Sequence, residues 1–405
     1  MKIVFVSREY PPSKRMGGIA TYVYESARSL TSLGHTVFVV CASDNVNVDE
    51  EYVDAGVHII RLSGGDFYLS DQRNILSILK GQYRRITKYW SYRKRVSNAL
   101  LRLEQQHQID LIEFPEYGNE ASTWMREDRK IPWIIRIHGP TILNQISGRK
   151  ISPLKWPVSR IMGHLELQTI CKAPCVTAPS VAMAAIISQW CDIDLSKIEI
   201  IPNAVNPDDW PVSDERIKLQ DKIIQIFSAG TIVSAKGYAE LVKVAEKLRD
   251  AGFSLKVIIA GKHGKLGRRL KEWVAQSTER SWLQLPGNLS KAQLRAHYQA
   301  ADLVIIPSWW ESFSLVCIEA MAAGALVLGS DRGGMREIIT DDKDGYLVNP
   351  LDAQEFQDVI IKILHLSDEK KMDIRVNARK TVSEKYSAAA IAKDQEKLYE
   401  EISRR

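Results

Sequence analysis

The chain has 405 residues, of which 45% are apolar and 26% charged, and carries a formal net charge of +6. That length exceeds one core of ordinary size and points to two domains of a globular protein. No apolar run approaches the roughly 18 to 20 residues that span a bilayer, and no nucleic-acid motif appears, which argues against an integral membrane protein and a nucleic-acid binder. The opening MKIVFVSREYPP reads as a first strand, because it has no small-residue cleavage site of a signal peptide. Short β-branched runs follow at Thr36–Ala42, His58–Leu62, Leu111–Phe114, Trp133–His138 and Cys175–Ala178, with helical stretches between most of them. The stretch IIPNAVNPDDWPVSDERI supplies turn chemistry through Pro202, Asn203, Pro207 and Pro211. Beyond it the pattern restarts at Ile223–Ala229, Leu255–Ala260, Leu303–Ile306 and Leu326–Gly329. Residues 1–210 and 211–385 thus read as two doubly wound α/β domains, and 386–405 as a terminal helix centred on Ala388–Ile402.

The cysteines, Cys41, Cys171, Cys175, Cys191 and Cys317, show no zinc or CxxC spacing. Reduced thiols in a cytoplasmic protein are the expectation. Charge is unevenly spread. Between Gln72 and Leu103 there is no acidic residue, whereas Arg84, Arg85, Lys88, Arg93, Lys94, Arg95 and Arg102 interleave with Tyr83, Tyr89, Trp90 and Tyr92. Such a segment suits an anionic membrane surface or a polyanionic chain, and equally a solvated helix.

The most informative stretch is SWWESFSLVCIEAMAAGALVLGSDRGG, which sets Glu311 and Glu319 eight positions apart around a strand-to-helix turn. A helix N-terminus opening at Ser312–Val316 offers unpaired N–H groups and a positive dipole end, a seat for phosphate. An ionised carboxylate only accepts hydrogen bonds, so its natural partners beside a phosphate are neighbouring hydroxyls. Phosphate flanked by two diols describes a sugar nucleotide. Glu319 lies in the apolar segment CIEAMAAG, where a solvated face is hard to draw.

This run resembles the E-x7-E signature of retaining glycosyltransferases of family 4, matching it at Pro307, Ser308, Glu311, Phe313, Leu315, Val316, Glu319, Ala320, Met321, Ala322, Gly324, Gly333, Gly334 and Glu337. The resemblance implies a GT-B fold: two facing Rossmann-like domains with a cleft between them, acceptor on the first, nucleotide on the second, and the last helix crossing back to the first. It implies that Glu311 contacts the donor sugar, Glu319 takes the ribose hydroxyls, and the amides of Ser312, Phe313, Ser314, Leu315 and Val316 hold the diphosphate. Ser312 and Ser314 stand where the family pattern has glycines. Both keep the N–H and allow a less close approach of main chain to ligand.

Further segments extend the resemblance. Gly17 and Gly18 match a PP-x-x-GG segment whose backbone approaches the donor phosphates. His138, in WIIRIHGP, matches a strand-terminal histidine near the donor sugar, with a positioning role expected. FSAGTIVSAKGY matches a GR-L-x-x-x-KG segment through Lys236 and Gly237, but Thr231 replaces the arginine that acts with the lysine on the leaving diphosphate. Arg8, Lys14, Arg15, Arg136 and Lys262 are candidates to compensate, and sequence does not choose among them. LQLPGNLS matches the base-contacting segment of uridine-using members, making Gly287 and Leu289 donor-binding candidates.

The implied reaction is transfer of a hexose, glucose as first choice, from a UDP-sugar to a glycan or lipid-linked acceptor with retention of configuration, in cell-surface or exopolysaccharide synthesis. No DxD motif or His/Asp cluster calls for a metal, and no cofactor is expected. Because many relatives extend lipid-linked glycans at the cytoplasmic leaflet, the segment 73–102 is a candidate for peripheral contact with the inner face of the plasma membrane. Two other classes stay open: a same-fold sugar-nucleotide epimerase or phosphorylase, and a non-catalytic sugar-nucleotide-binding protein in which the change to Thr231 ended turnover. Glu116 and Asn119, in EFPEYGNE, are guesses for acceptor contact.

Overall fold

The computed structural model describes residues 1–13, 17–45, 47–65, 75–125, 130–141, 143, 156–212 and 223–404, with only the backbone for 75–88 and 156–159. Lys14 and Arg15 lie outside the described residues, as do the side chains of Tyr83, Arg84, Arg85 and Lys88. The chain forms two compact units, Met1–Ala204 with Ala388–Arg405, and Val205–Ser387.

The first unit is built on eight strands: β1 Lys2–Val6, β2 Thr36–Ala42, β3 Glu50–Asp54, β4 Val57–Leu62, β5 Leu111–Pro115, β6 Trp133–Arg136, β7 Val176–Ala178 and β8 Ile198–Ile200. They lie in the order β3-β4-β2-β1-β5-β6-β7-β8, parallel except for the β3–β4 pair. Ile3, Val4, Val37, Val39 and Leu111 are fully buried, as expected of central strands covered on both faces. The helix Gly18–Ser32 turns Ala20, Tyr22, Val23, Ala27 and Leu30 inward at helical spacing. The terminal helix Ala388–Ser403 packs on it through Ile391, Leu398, Tyr399 and Ile402.

Strand β3 escapes the apolar-run criterion because EEYVD is exposed almost throughout. It exists because Ala55 and Gly56, at φ 48° and 86°, form a two-residue turn that sends the chain back along β4. Its charged residues also suit an edge strand.

The second unit has six parallel strands: β9 Ile224–Ala229, β10 Leu255–Ala260, β11 Leu283–Gly287, β12 Leu303–Ile306, β13 Val327–Ser330 and β14 Tyr346–Val348, ordered β11-β10-β9-β12-β13-β14. Succession from β9 to β10 runs one way across the sheet and β12 continues on the other side of β9. The gap between the ends of β9 and β12 is therefore the topological switch point, where open α/β sheets place ligands.

The two compact units meet along the chain at Ala204/Val205. The N–H of Val205 donates to the Tyr386 carbonyl at 3.0 Å, and Trp210 is buried against Tyr298, ring centroids 5.7 Å apart. At the other end Tyr386 stays with the second unit, its ring against Phe313 and its hydroxyl donating to the Glu337 carbonyl at 2.9 Å, so the chain passes to the first unit at Ala388.

Candidate functional site

In the second unit the loops after β9, β12 and β13 are tied together at the switch point. Lys236 ends the loop after β9, and its ammonium donates to the Glu311 carboxylate in the loop after β12. Ser308 donates to the same carboxylate oxygen at 2.7 Å. The Trp309 N–H reaches the Ala235 carbonyl at 3.0 Å, adding a backbone tie between the same loops. Gly237, at φ 69°, permits this closeness, since a Cβ there would stand 1.7 Å from the Pro307 carbonyl oxygen. From the far side the Gly334 N–H donates to the Glu311 carbonyl at 2.9 Å. Gly333, at φ 72°, would drive a Cβ to 2.2 Å from that same oxygen. The two glycines of DRGG are struts that set the Glu311 backbone.

Beyond Glu311 the helix Leu315–Ala322 begins under a cap. The Ser314 hydroxyl accepts from the Cys317 N–H at 3.3 Å, which explains a serine where the family pattern has glycine. The N–H groups of Leu315 and Val316 have no acceptor among the described residues. Phe313 is buried against Tyr386, so of the expected donor residues it offers the backbone alone.

Glu319 lies one turn into this helix. Burial pushes its carboxyl up to about 7, opposed by the Lys291 cation and the Tyr298 hydroxyl beside it. That hydroxyl is itself buried and makes no well-aligned hydrogen bond, so proximity rather than a formed bond relates the pair. Lys291 is held by Asp209 at 2.6 Å. Nothing in AHYQAADL marks Tyr298 as a neighbour of Glu319, since the contact is made only when the sheet is assembled.

Gly287 ends β11 at φ 86° and its carbonyl accepts from the Gly261 N–H at 2.7 Å. Leu289, two residues on, packs partly buried against the core. Thr231 is exposed and follows Gly230, at φ 138°.

The expected residues of the first unit gather at the carboxyl ends of its own strands. His138, just past β6, sits edge-on to Tyr22, ring centroids 5.1 Å apart. Burial, reinforced by the nearby Arg136 cation, holds its imidazole well below the usual histidine range, so the ring is neutral at pH 7. Tyr22 is fixed from several sides. The Arg136 guanidinium lies 4.4 Å from its ring centroid, its hydroxyl donates to Glu113 at 3.2 Å, and Gln395 donates to that hydroxyl at 2.9 Å. Tyr399 donates to the same Glu113 oxygen at 2.6 Å, so the terminal helix helps to hold the ring against His138. Gly17 caps the helix Gly18–Ser32 in extended conformation at φ −149°, and a Cβ there would stand 3.1 Å from a Glu9 carboxylate oxygen.

Glu116 and Asn119 are not poised for an acceptor. Buried Glu116 accepts the His138 N–H at 3.0 Å and the Gly139 N–H at 2.6 Å, and its carboxyl is pushed up to about 7 by that burial. Asn119, in left-handed conformation at φ 57°, donates to the Leu165 carbonyl and accepts from Thr169. A carboxylate among apolar strand ends is spent on N–H groups that would otherwise be orphaned.

Several expected cations also have structural employment. Arg8 is held by Glu120 at 2.5 Å, and Arg136 by the Ile201 carbonyl at 2.6 Å and Asn203 at 2.8 Å. In the basic helix Ile75–Gln106, Arg93 is buried on the Gly118 carbonyl, and Arg95 and Arg102 pair with Asp49 and Glu51 of the edge strand region. Among the described residues no helix is long and apolar enough to cross a membrane, and no group of three or more His, Cys, Asp or Glu could hold a metal ion.

Comparison with known proteins agrees with this architecture. The family model "Glycosyltransferase Family 4" matches residues 16–209 and "Glycosyl transferases group 1" matches residues 212–381. An uncharacterized glycosyltransferase of Methanocaldococcus jannaschii is 26% identical over 418 residues, covering 98% of both chains. Sucrose-phosphate synthase from Thermosynechococcus elongatus shares the fold with a TM-score of 0.78 at 20% identity, over 99% of this chain and 98% of that one. A protein of Anabaena solved with UDP-glucose does so with a TM-score of 0.70 at 17% identity, over 99% and 100%. With one family matched across each unit, the chain belongs to the family 4-type glycosyltransferases, on a GT-B fold.

Proposed function

We propose that this transferase moves a hexose, glucose as first choice, from a UDP-sugar to a glycan or lipid-linked acceptor with retention of configuration. The observation that carries this reading is the Lys236–Glu311–Ser308 junction at the switch point, set beside the N–H groups of Leu315 and Val316, with half-buried Glu319 one turn further on. In this reading Lys236 and the amides from Ser312 to Val316 meet the diphosphate, Glu311 the donor sugar and Glu319 the ribose diol. Gly17, Gly18 and Thr231 line the phosphates, and Gly287 and Leu289 the base. Neutral His138 donates or accepts a hydrogen bond near the sugar rather than acting as base. The departing phosphate takes the acceptor proton on the face it leaves, which requires no second carboxylate across the bond. With charge supplied by lysine and amides, the reaction needs no metal. UDP-glucose as donor is supported by the Anabaena neighbour that binds it.

We place the protein in the cytoplasm, at the inner face of the plasma membrane, in polysaccharide synthesis. Of the described side chains in segment 73–102, exposed Trp90 and Lys94 support membrane contact, while Arg93, Arg95 and Arg102 are engaged within the protein.

Thermal unfolding with UDP, GDP, ADP and UDP-glucose tests the donor. At about 100 times its dissociation constant a ligand adds roughly 2.7 kcal/mol of stability. Stabilisation by UDP and UDP-glucose alone supports the reading; stabilisation by GDP or ADP instead changes the donor; none at all removes it.

A further inference from the structure

A diphosphate seated at the switch point brings more negative charge than Lys236 can meet, because that ammonium is already shared with Glu311. A second cation in the same unit would meet the charge that Lys236 and the backbone amides leave over, and one basic residue beside Glu319 is already committed. Lys291 is bound to Asp209.

The loop after β10 holds one that is not. The Gly261 backbone meets the loop after β9 so closely that a Cβ on Gly261, at φ 135°, would stand 2.1 Å from the Gly230 carbonyl oxygen. One residue on, the Lys262 carbonyl accepts the Ile232 N–H at 2.9 Å, and Ile232 pairs with His263 as a parallel bridge. A Cβ on Gly264 would in turn meet the Ile232 carbonyl at 2.7 Å. Residues 261–264 are thus laid along residues 230–232, and Lys262 emerges beside Thr231. Its side chain is exposed and has no carboxylate partner among the described residues. Thr231 is exposed too and carries no charge.

We propose that Lys262 is a donor-binding residue that supplies the second positive charge to the leaving diphosphate, in place of a cation at position 231. This rests on the donor reading above, and goes beyond it in naming the residue that completes the charge. A long, solvated ammonium on a neighbouring loop can follow the diphosphate as charge builds, without being fixed against another carboxylate first.

Calorimetric titration of the full chain with UDP, GDP and ADP, and with the matching nucleosides by displacement, tests this. Lys262→Ala is expected to weaken the preferred nucleoside diphosphate by roughly tenfold, the scale of one charged hydrogen bond, and to leave its nucleoside unchanged. Thr231→Arg in the Lys262→Ala background is expected to restore most of the loss, which a merely structural lysine would not allow. Lys265→Ala, at the start of the next helix, is the control and is expected to bind like the parent. The proposal is overturned if Lys262→Ala binds the diphosphate like the parent, if it loses the nucleoside equally, or if Lys265→Ala carries the effect instead. A parent that binds none of the three diphosphates overturns the donor reading, and this inference with it.

Discussion

Lys236 donates to Glu311 across the gap between the loops after β9 and β12, with Ser308 on the same carboxylate oxygen. The ammonium and the carboxylate thus preset each other before any ligand arrives. Glu311→Ala releases Lys236 toward the diphosphate while removing the partner proposed for the sugar. UDP affinity should hold within about twofold and transfer should fall about 100-fold or more, on the scale of losing one preorganised polar group. Calorimetry with UDP beside a turnover assay with UDP-glucose separates the two. Loss of UDP binding would reassign Glu311 to the nucleotide.

Glu319 carries the opposite expectation. Its carboxyl sits at about 7 because burial disfavours the charge. The ionised form accepts from both hydroxyls of a diol better, because it offers two acceptor oxygens where the protonated form turns one into a donor. Affinity should therefore rise as pH goes from 6 to 8 and fall as protons return below 7. Uridine, which has no phosphate to titrate, is the probe. Glu319→Ala should weaken both uridine and UDP, and Glu319→Gln should abolish the pH dependence. Unchanged affinity in both variants would remove Glu319 from the ribose.

Gly237 tests the junction as a structural device. A methyl group there meets the Pro307 carbonyl and a left-handed backbone at once. Strain of that kind costs about 1–3 kcal/mol before the clash is counted. For a unit of this size that is about 2–12 °C in Tm. Gly252→Ala, at a left-handed turn with open space around it, is the comparison and should cost less. Equal losses would show that backbone conformation, not the approach of Pro307, sets the requirement.

Glu116 links stability to pH. Its carboxyl is raised to about 7 in the folded chain, against an unfolded value near 4.5. A carboxyl raised on folding favours the folded state most below the unfolded value, and that contribution is lost as pH rises through the folded one. Relative to Glu116→Gln, the parent should lose stability between pH 5 and pH 8, by about 3 kcal/mol at most. Chemical denaturation at both pH values measures this. A parent that gains on Glu116→Gln with rising pH would show that the His138 and Gly139 N–H groups outweigh burial.

Much of this protein is legible in local sequence. Buried β-branched runs such as Leu303–Ile306, and helices with evenly spaced apolar residues, announce two α/β domains because parallel strands covered on both faces leave no other pattern. The spacing of Glu311 and Glu319 on a strand-to-helix turn, and the neighbouring pair Lys236 and Gly237, mark the candidate site because each motif is contiguous. What the chain order conceals is set by packing between distant segments. The edge strand Glu50–Asp54 follows from a left-handed two-residue turn and not from its own composition. The employment of Glu116 on His138 and Gly139, of Tyr298 beside Glu319, and of Gly333 against Glu311 arises only where sheet order brings those loops side by side. The sequence alone determined the fold class, the family resemblance and the residues that could carry the chemistry. Only the tertiary structure decided which cations and carboxylates are already spent on the protein itself, because that depends on neighbours far away along the chain.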